Sequence, residues 1–189
     1  MKWSCALACL HMLRDLIKIF DDRVDASFDA LRGNRVADRT FYTASELGDF
    51  GLLWVIFGLV RALRGGALNE RAAVRAIIAT GVESFLVNII LKSFFGRGRP
   101  VREIEHPLPI RQPLTSSFPS GHATAAFCGA VLLSDEDPLA ALYFASAMVV
   151  ALSRIYVKIH HASDVVAGVA VGLSLGVIAK RLFPLRRAH

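Results

Sequence analysis

The chain has 189 residues, enough for one domain and short for two. Its apolar share of 54% and mean hydropathy of +0.47 exceed the usual soluble range, and the apolar residues come in blocks, which points to an all-α membrane helical bundle. The net charge of +6 does not mark a nucleic-acid binder: the basic residues sit at the ends of apolar runs without a basic-aromatic surface motif, so the charge reads as membrane orientation plus an anionic substrate.

Residues 2–20 are apolar on one helical stripe (Ala6, Leu10, Leu13, Ile17, Phe20) and polar on the other (Ser4, His11, Asp15, Lys18, Asp22). That pattern predicts an amino-terminal amphipathic helix lying in the membrane interface. A signal peptide is the rival reading of Lys2 and the apolar run after it, but no small-residue cleavage site follows Leu13. Residues 21–46 are mixed and charged, with a turn at Gly33-Asn34 and a short amphipathic helix beyond it. The single domain, 1–189, thus divides into an interfacial segment, 1–46, and a transmembrane bundle of about five helices, 47–183.

The first span runs from Leu47 to Leu63, near the lower limit for a crossing, and the second from Ala72 to Leu91 with Glu83 near its middle. Glu83 is nine residues from Lys92, so it projects from the opposite face and reads as buried against another helix rather than as part of a site with Lys92. A polar, proline-rich loop covers 92–118. The third span begins at Pro119 and ends near Leu133, the fourth runs from Leu139 to Val157, and the fifth from Ser163 to Leu182. Gly168, Gly172 and Gly176 recur every four residues along the fifth span, on the face of Asp164, and predict a seam of close helix approach. Cys5, Cys9 and Cys128 lack metal-ligand spacing and read as small hydrophobes.

Counting crossings brings three polar stretches to one side of the membrane: the end of the second span at Lys92, the start of the third at Ser120-Gly121-His122, and the junction carrying Arg154, His160 and Asp164. Across that junction His160 and Asp164 share a helical face, so the carboxylate can hold one ring nitrogen's proton and leave the other nitrogen as an oriented nucleophile. The bland reading of the junction is an interfacial ion cluster; convergence with the other stretches argues against it. Lys92, Arg99 and Arg154 supply three cations, suited to a phosphate dianion. Ser120, Gly121 and His122 stand at a helix start, where free amides favour an anion, and His122 is placed to give a proton to a leaving oxygen and take one from water.

The residues KSFFGRGRP at 92–100, PSGH at 119–122 and SRIYVKIHHASD at 153–164 resemble the three-part signature of the type 2 phosphatidic acid phosphatase superfamily of integral-membrane lipid phosphatases. The resemblance covers roughly residues 75–180. It implies His160 as a nucleophile forming a phosphohistidine, Asp164 as its orienting partner and His122 as general acid and base. It also implies phosphate binding by Lys92, Arg99, Ser120, Gly121 and Arg154, with no metal and no other cofactor. His161-Ala162 stands where many relatives resemble Tyr-Pro, and five spans are visible where many have six, a trait resembling short bacterial members that act on polyprenyl diphosphates.

The expected activity is removal of a terminal phosphate from a lipid whose tail stays in the bilayer. A polyprenyl diphosphate comes first; phosphatidic acid, phosphatidylglycerol phosphate and a polyprenyl phosphosugar phosphate remain open. Vanadium-dependent haloperoxidases share the motifs but are soluble and larger, and a binding or transport protein would need neither His122 nor His160. Arg61, Arg64, Arg71, Arg75, Lys180, Arg181, Arg186 and Arg187 lie on the face opposite the site without a catalytic task. By the positive-inside rule they put that face in the cytoplasm and the site on the external or periplasmic side.

Overall fold

The structure, a computed structural model, describes residues 2–101, 110–111 and 115–185, with side chains from Cys9 onward. The side chains of Ser4, Cys5 and Ala6, most of the loop at 102–114, and Arg186 and Arg187 lie outside the described residues. The described residues form seven α-helices in chain order: α1 (Lys2–Asp29), α2 (Arg35–Leu47), α3 (Leu52–Leu63), α4 (Ala67–Phe85), α5 (Gly121–Leu133), α6 (Ala140–Tyr156) and α7 (Ala162–Leu182). No strand occurs among the described residues.

The bundle is built around α5, whose residues are all buried except His122. A helix enclosed on every side has no polar face to keep, and α5 is accordingly apolar throughout and rich in alanine and glycine. Those small residues decide how near its neighbours come. A Cβ on Gly129 would lie 2.8 Å from the Trp54 ring of α3. On the α7 side, Cβ atoms on Gly168, Gly172 and Gly176 would meet the Ser120 carbonyl oxygen at 2.5 Å, the Thr124 carbonyl oxygen at 2.3 Å and Val131 Cβ at 2.8 Å. The expected seam is therefore an actual contact of α7 on α5, backbone against backbone.

By length and composition two stretches suffice to cross a bilayer: Ala67–Phe94, in which α4 continues through a π-helical turn (Leu86–Ile90) and a 3₁₀ turn (Leu91–Phe94), and α7. At 1.5 Å per residue they reach about 42 and 32 Å, against a hydrocarbon core of about 30 Å. α5 and α6 are apolar but shorter, with 13 and 17 residues. The expected first span is not one helix. It breaks after Leu47 into a 3₁₀ turn, Asp49–Gly51, where Phe50 (φ 55°) and Gly51 (φ 70°) adopt left-handed backbone, and resumes as the 12-residue α3. Large apolar side chains such as Leu59, Val74, Ile78, Ile89, Val166 and Ile178 point outward and are exposed, as in a bundle whose outer solvent is lipid.

Both ends of the bundle are tied by ions. At one end the 134–138 turn gathers arginines. Arg61, fully buried, lies 3.1 Å from Asp137 and donates to the Leu133 and Asp135 carbonyls at 2.6 and 2.8 Å, satisfying the open end of α5. Arg64 pairs with the same Asp137, and Arg75 and Lys180 pair with Asp135 at 2.8 and 2.7 Å. These four residues, read from sequence only as orientation signals, also staple helix ends.

At the other end Asn34 caps α2, its Oδ1 accepting the Val36 and Ala37 amides at 2.9 and 3.2 Å. Arg32 donates to the Ile155 and Tyr156 carbonyls at the end of α6. α1 runs unbroken past residue 20 to Asp29, longer than expected. Its residues 9–20 are exposed on both the apolar and the polar stripe, whereas Asp21 turns inward with 4% exposure.

The α5–α7 contact predicts its own perturbation. Gly172→Ala places a methyl 2.3 Å from a backbone oxygen that cannot rotate away, so it should destabilise the protein by about 1–3 kcal/mol or more and lower turnover with it. A melting temperature and activity equal to wild type would show that the two helices are free to separate.

Candidate active site

The loop between α6 and α7 is folded by a single carbonyl. Arg154 O accepts both the Ile159 and His160 amides at 3.1 Å, and Lys158 takes a left-handed φ of 51° to let the chain reverse. His160 is thereby turned inward at 2% exposure. Its Nδ1 lies 2.7 Å from the Ser117 carbonyl oxygen, an acceptor only, so Nδ1 carries the proton and Nε2 presents its lone pair. Arg99 Nη1 is 3.3 Å from that Nε2 and also donates to the Ile159 carbonyl at 3.0 Å.

Asp164 is fully buried beside His160, but the tautomer is set differently from the expectation. Its Oδ2 is 3.8 Å from His160 Nδ1, an ion-pair distance rather than a hydrogen bond. That oxygen accepts the His161 amide at 2.9 Å, and Oδ1 accepts Arg97 at 2.6 Å. Two donors hold the carboxylate, so the Ser117 carbonyl takes the imidazole proton while Asp164 supplies charge. Arg97 extends the network: its other nitrogen donates to Asp21 of α1 at 2.6 Å, and Asp21 also accepts the Ser163 amide and hydroxyl at 2.7 and 2.9 Å.

Ser120 is the N-cap of α5, its hydroxyl accepting the Ala123 amide at 3.4 Å, and its own amide donates to the Asp164 carbonyl at 3.0 Å. The start of α5 therefore hangs on the start of α7. Gly121 lets α4 close in, because a Cβ there would sit 2.7 Å from Asn88 Oδ1. His122 follows, with Nε2 2.7 Å from Asp49 Oδ1 in the break between α2 and α3. Arg154, 1% exposed, reaches across from α6 to the Ser45 hydroxyl of α2.

Lys92, Gly121, His122 and His160 line one cavity of about 810 Å³, together with Asp49, Arg111 and Thr115. Farther along, the wall carries Thr80, Ser84 and Asn88 on one face of α4 and its continuation, then Trp54, Val55 and Ile77 where α3 meets α4. Arg99, Arg154, Ser120 and Asp164 stand behind this lining. Glu83, also 2% exposed, lines instead a separate apolar groove between α4 and α7.

Among the described residues no group of three or more histidine, cysteine, aspartate or glutamate side chains could hold a metal ion. Asp21, Asp49, Arg97 and Ser117 carry contacts that the sequence reading did not assign. Asp49 left a signal, since an aspartate between Gly48 and Gly51 inside an apolar run marks a break. The Ser117 carbonyl left none.

Residues 72–188 match the PAP2 superfamily. The chain belongs to that superfamily. Among PAP2 relatives, a decaprenylphosphoryl-5-phosphoribose phosphatase of Mycobacterium tuberculosis is 32% identical over 140 residues, covering 71% of this chain and 73% of the relative. The protein of that name from Mycolicibacterium smegmatis is 35% identical over 132 residues, covering 66% and 67%.

Two solved PAP2 structures share the fold. A transmembrane phosphatidylglycerolphosphate phosphatase from Bacillus subtilis superposes with a TM-score of 0.68 at 21% identity, over 88% of this chain and 86% of that one. LpxE from Aquifex aeolicus superposes with a TM-score of 0.64 at 27% identity, over 88% and 93%. As a PAP2 member the chain is a membrane hydrolase of phosphoric esters or anhydrides, a lipid phosphatase.

Burial is the main force on the His160 imidazole and pushes its pKa down to about 3; Asp164 opposes it, and the Arg154, Arg99 and Lys92 charges add to it. The histidine is thus neutral in the folded protein across the neutral range, as a nitrogen nucleophile must be. An unfolded histidine takes up its proton near pH 6.5, so below that value the unfolded chain binds more protons and stability falls as pH drops toward 3. Replacing His160 with Asn should flatten part of the fall in melting temperature between pH 6.5 and 4; an unchanged slope would contradict a neutral buried imidazole.

Proposed function

We propose that this phosphatase removes the terminal phosphate from a polyprenyl phosphosugar phosphate, through a phosphohistidine on His160. The observation that carries the substrate class is the cavity wall. Between the cationic end at Lys92 and the apolar gap at Trp54, Val55 and Ile77 lie Thr80, Ser84 and Asn88, about 18, 12 and 6 Å along the helix from Lys92. Among the described residues Thr80 Oγ1 is buried and has no hydrogen-bond partner. A diphosphate joined directly to a prenyl chain has no hydroxyls to offer this wall, whereas a sugar does. The names of the mycobacterial relatives support the same class.

The phosphate sits among Lys92, Arg99, Arg154, the Ser120 hydroxyl and the Gly121 amide. His160 Nε2 attacks phosphorus as the sugar oxygen departs, and His122 gives that oxygen a proton; an alkoxide is a poor leaving group, which is why the acid is needed. Water then attacks the phosphohistidine while His122 takes its proton, and Nε2 leaves with the bonding electrons. No metal is required. The chain crosses the membrane several times, α1 lies in the interface with Leu10, Leu13, Ile17 and Phe20 toward the acyl region, and the site faces outward, a placement supported by the arginines and lysines gathered at the other end.

Phosphate release should be measured in detergent from a panel of purified lipids, with a matched assay on intact spheroplasts using an impermeant short-chain substrate. A polyprenyl phosphosugar phosphate should show the highest kcat/KM, above polyprenyl diphosphate, phosphatidic acid and phosphatidylglycerol phosphate, and intact spheroplasts should hydrolyse the impermeant substrate. Preference for a substrate without a sugar would overturn the class, and hydrolysis only after lysis would overturn the orientation.

A further inference from the structure

We propose that Asp49 is the positioning residue of His122, so that the site runs on two carboxylate-supported histidines and the break in the first crossing exists to deliver the second carboxylate. The inference rests on the reading of His122 as general acid and base. It starts from the ring's setting. Asp49 Oδ1 lies 2.7 Å from Nε2, and a Cβ on Gly48 would lie 2.8 Å from Cδ2 and 2.9 Å from Val150 Cγ1. The Nε2–Cδ2 edge of the imidazole is therefore pressed against the Gly48–Asp49 backbone, with glycine the residue that leaves room for it. Nδ1, on the opposite edge, is the nitrogen left for the leaving oxygen.

The backbone that holds Asp49 there is itself unusual. Phe50, the next residue, keeps a left-handed φ of 55° although it is not glycine, and Gly51 follows at 70°. A strained residue that persists in a fold is held by its surroundings and marks a constraint of function. A straight helix through 47–63 would bury its hydrogen bonds better in a bilayer; the break turns one carboxylate toward the site instead.

The charges explain the need. His122 faces Arg154 of α6, Lys92 at the end of the α4 extension and Asp49, and it shares the cavity with His160. Burial, and then the two cations close by, disfavour an imidazolium, yet the first step must begin with one. A carboxylate on Nε2 offsets that repulsion and fixes the ring. In the first step Nδ1–H passes its proton to the departing oxygen and Nε2–H stays on Asp49. In the second, Nδ1 takes a proton from the attacking water as the P–N bond to His160 breaks, restoring the imidazolium.

Asp49→Asn, Asp49→Glu, His122→Gln and the double variant Asp49→Asn/His122→Gln should be compared with wild type on an alkyl phosphate lipid and on an aryl phosphate, whose leaving oxygen needs little protonation. Asp49→Asn should lower kcat on the alkyl substrate about 10- to 100-fold with KM near wild type. It should move the alkaline limb of the kcat profile down by about one pH unit and lose far less on the aryl substrate. Asp49→Glu should recover part of the rate, and the double variant should be no slower than His122→Gln alone.

Inhibition by orthovanadate, which needs the cationic cradle but not the His122 proton, should persist in Asp49→Asn. If Asp49→Asn turns over within about twofold of wild type while His122→Gln is inactive, Asp49 has no positioning role and the proposal falls. Loss of vanadate inhibition together with turnover would make Asp49 a structural residue and equally overturn it. An active His122→Gln enzyme would instead overturn the acid–base reading on which the inference rests.

Discussion

The approach of α7 to α5 is the constraint from which the site follows. Three glycines on α7 lie against α5 with no room for a Cβ, and the uppermost, Gly168, rests on the Ser120 carbonyl. One turn above, the Ser120 amide is bonded to the Asp164 carbonyl. The helix start that carries Ser120, Gly121 and His122 and the helix start that carries Asp164, with His160 just before it, are thus locked in register by backbone contacts. The proposed phosphoryl transfer needs its nucleophile and acid fixed on opposite sides of one phosphorus atom, and this seam would supply the fixed distance between them.

Charge inside such a bundle is stable only when compensated. Far from the site, Asp135 and Asp137 each pair with two basic residues and close helix ends. At the site, Asp164 and Asp21 share Arg97, which ties α1 to the carboxylate beside His160. Arg99 and Lys92 stand beside His160 with Arg154 behind, a surplus of positive charge that, in the proposed mechanism, a phosphate dianion completes. Arg99 lies 3.3 Å from His160 Nε2, the contact that the proposed substrate phosphate would displace.

Much of this was legible in the sequence, for identifiable reasons. The helices α5, α6 and α7 begin and end within one or two residues of expectation because proline, the Ser134–Pro138 hairpin and the motif residues bound their apolar blocks. Lys92, Gly121, His122 and His160 were expected to converge, and they line one cavity. The apolar pattern of 47–63 predicts a continuous first crossing because it outweighs Gly48, Asp49 and Gly51, the residues at which the helix breaks. α1 runs past the expected end at residue 20, where Asp21 bonds to Arg97 and Ser163, 76 and 142 residues away. The expected His160–Asp164 hydrogen bond rested on helical spacing, but His160 precedes α7 and its partner is the carbonyl of Ser117. A backbone acceptor brought in by a loop has no signature in residue types.

The central claim is that His160 becomes phosphorylated while His122 handles protons. Its most direct test is to mix labelled substrate with wild type, His122→Ala and His160→Ala enzymes, denature rapidly without acid, and measure protein-bound phosphate. A substrate with a good leaving group should leave a base-stable, acid-labile phosphoenzyme on His122→Ala, which can be phosphorylated but lacks a base for water, and none on His160→Ala. Equal label on the His160→Ala protein, or none on any of the three, would contradict the account.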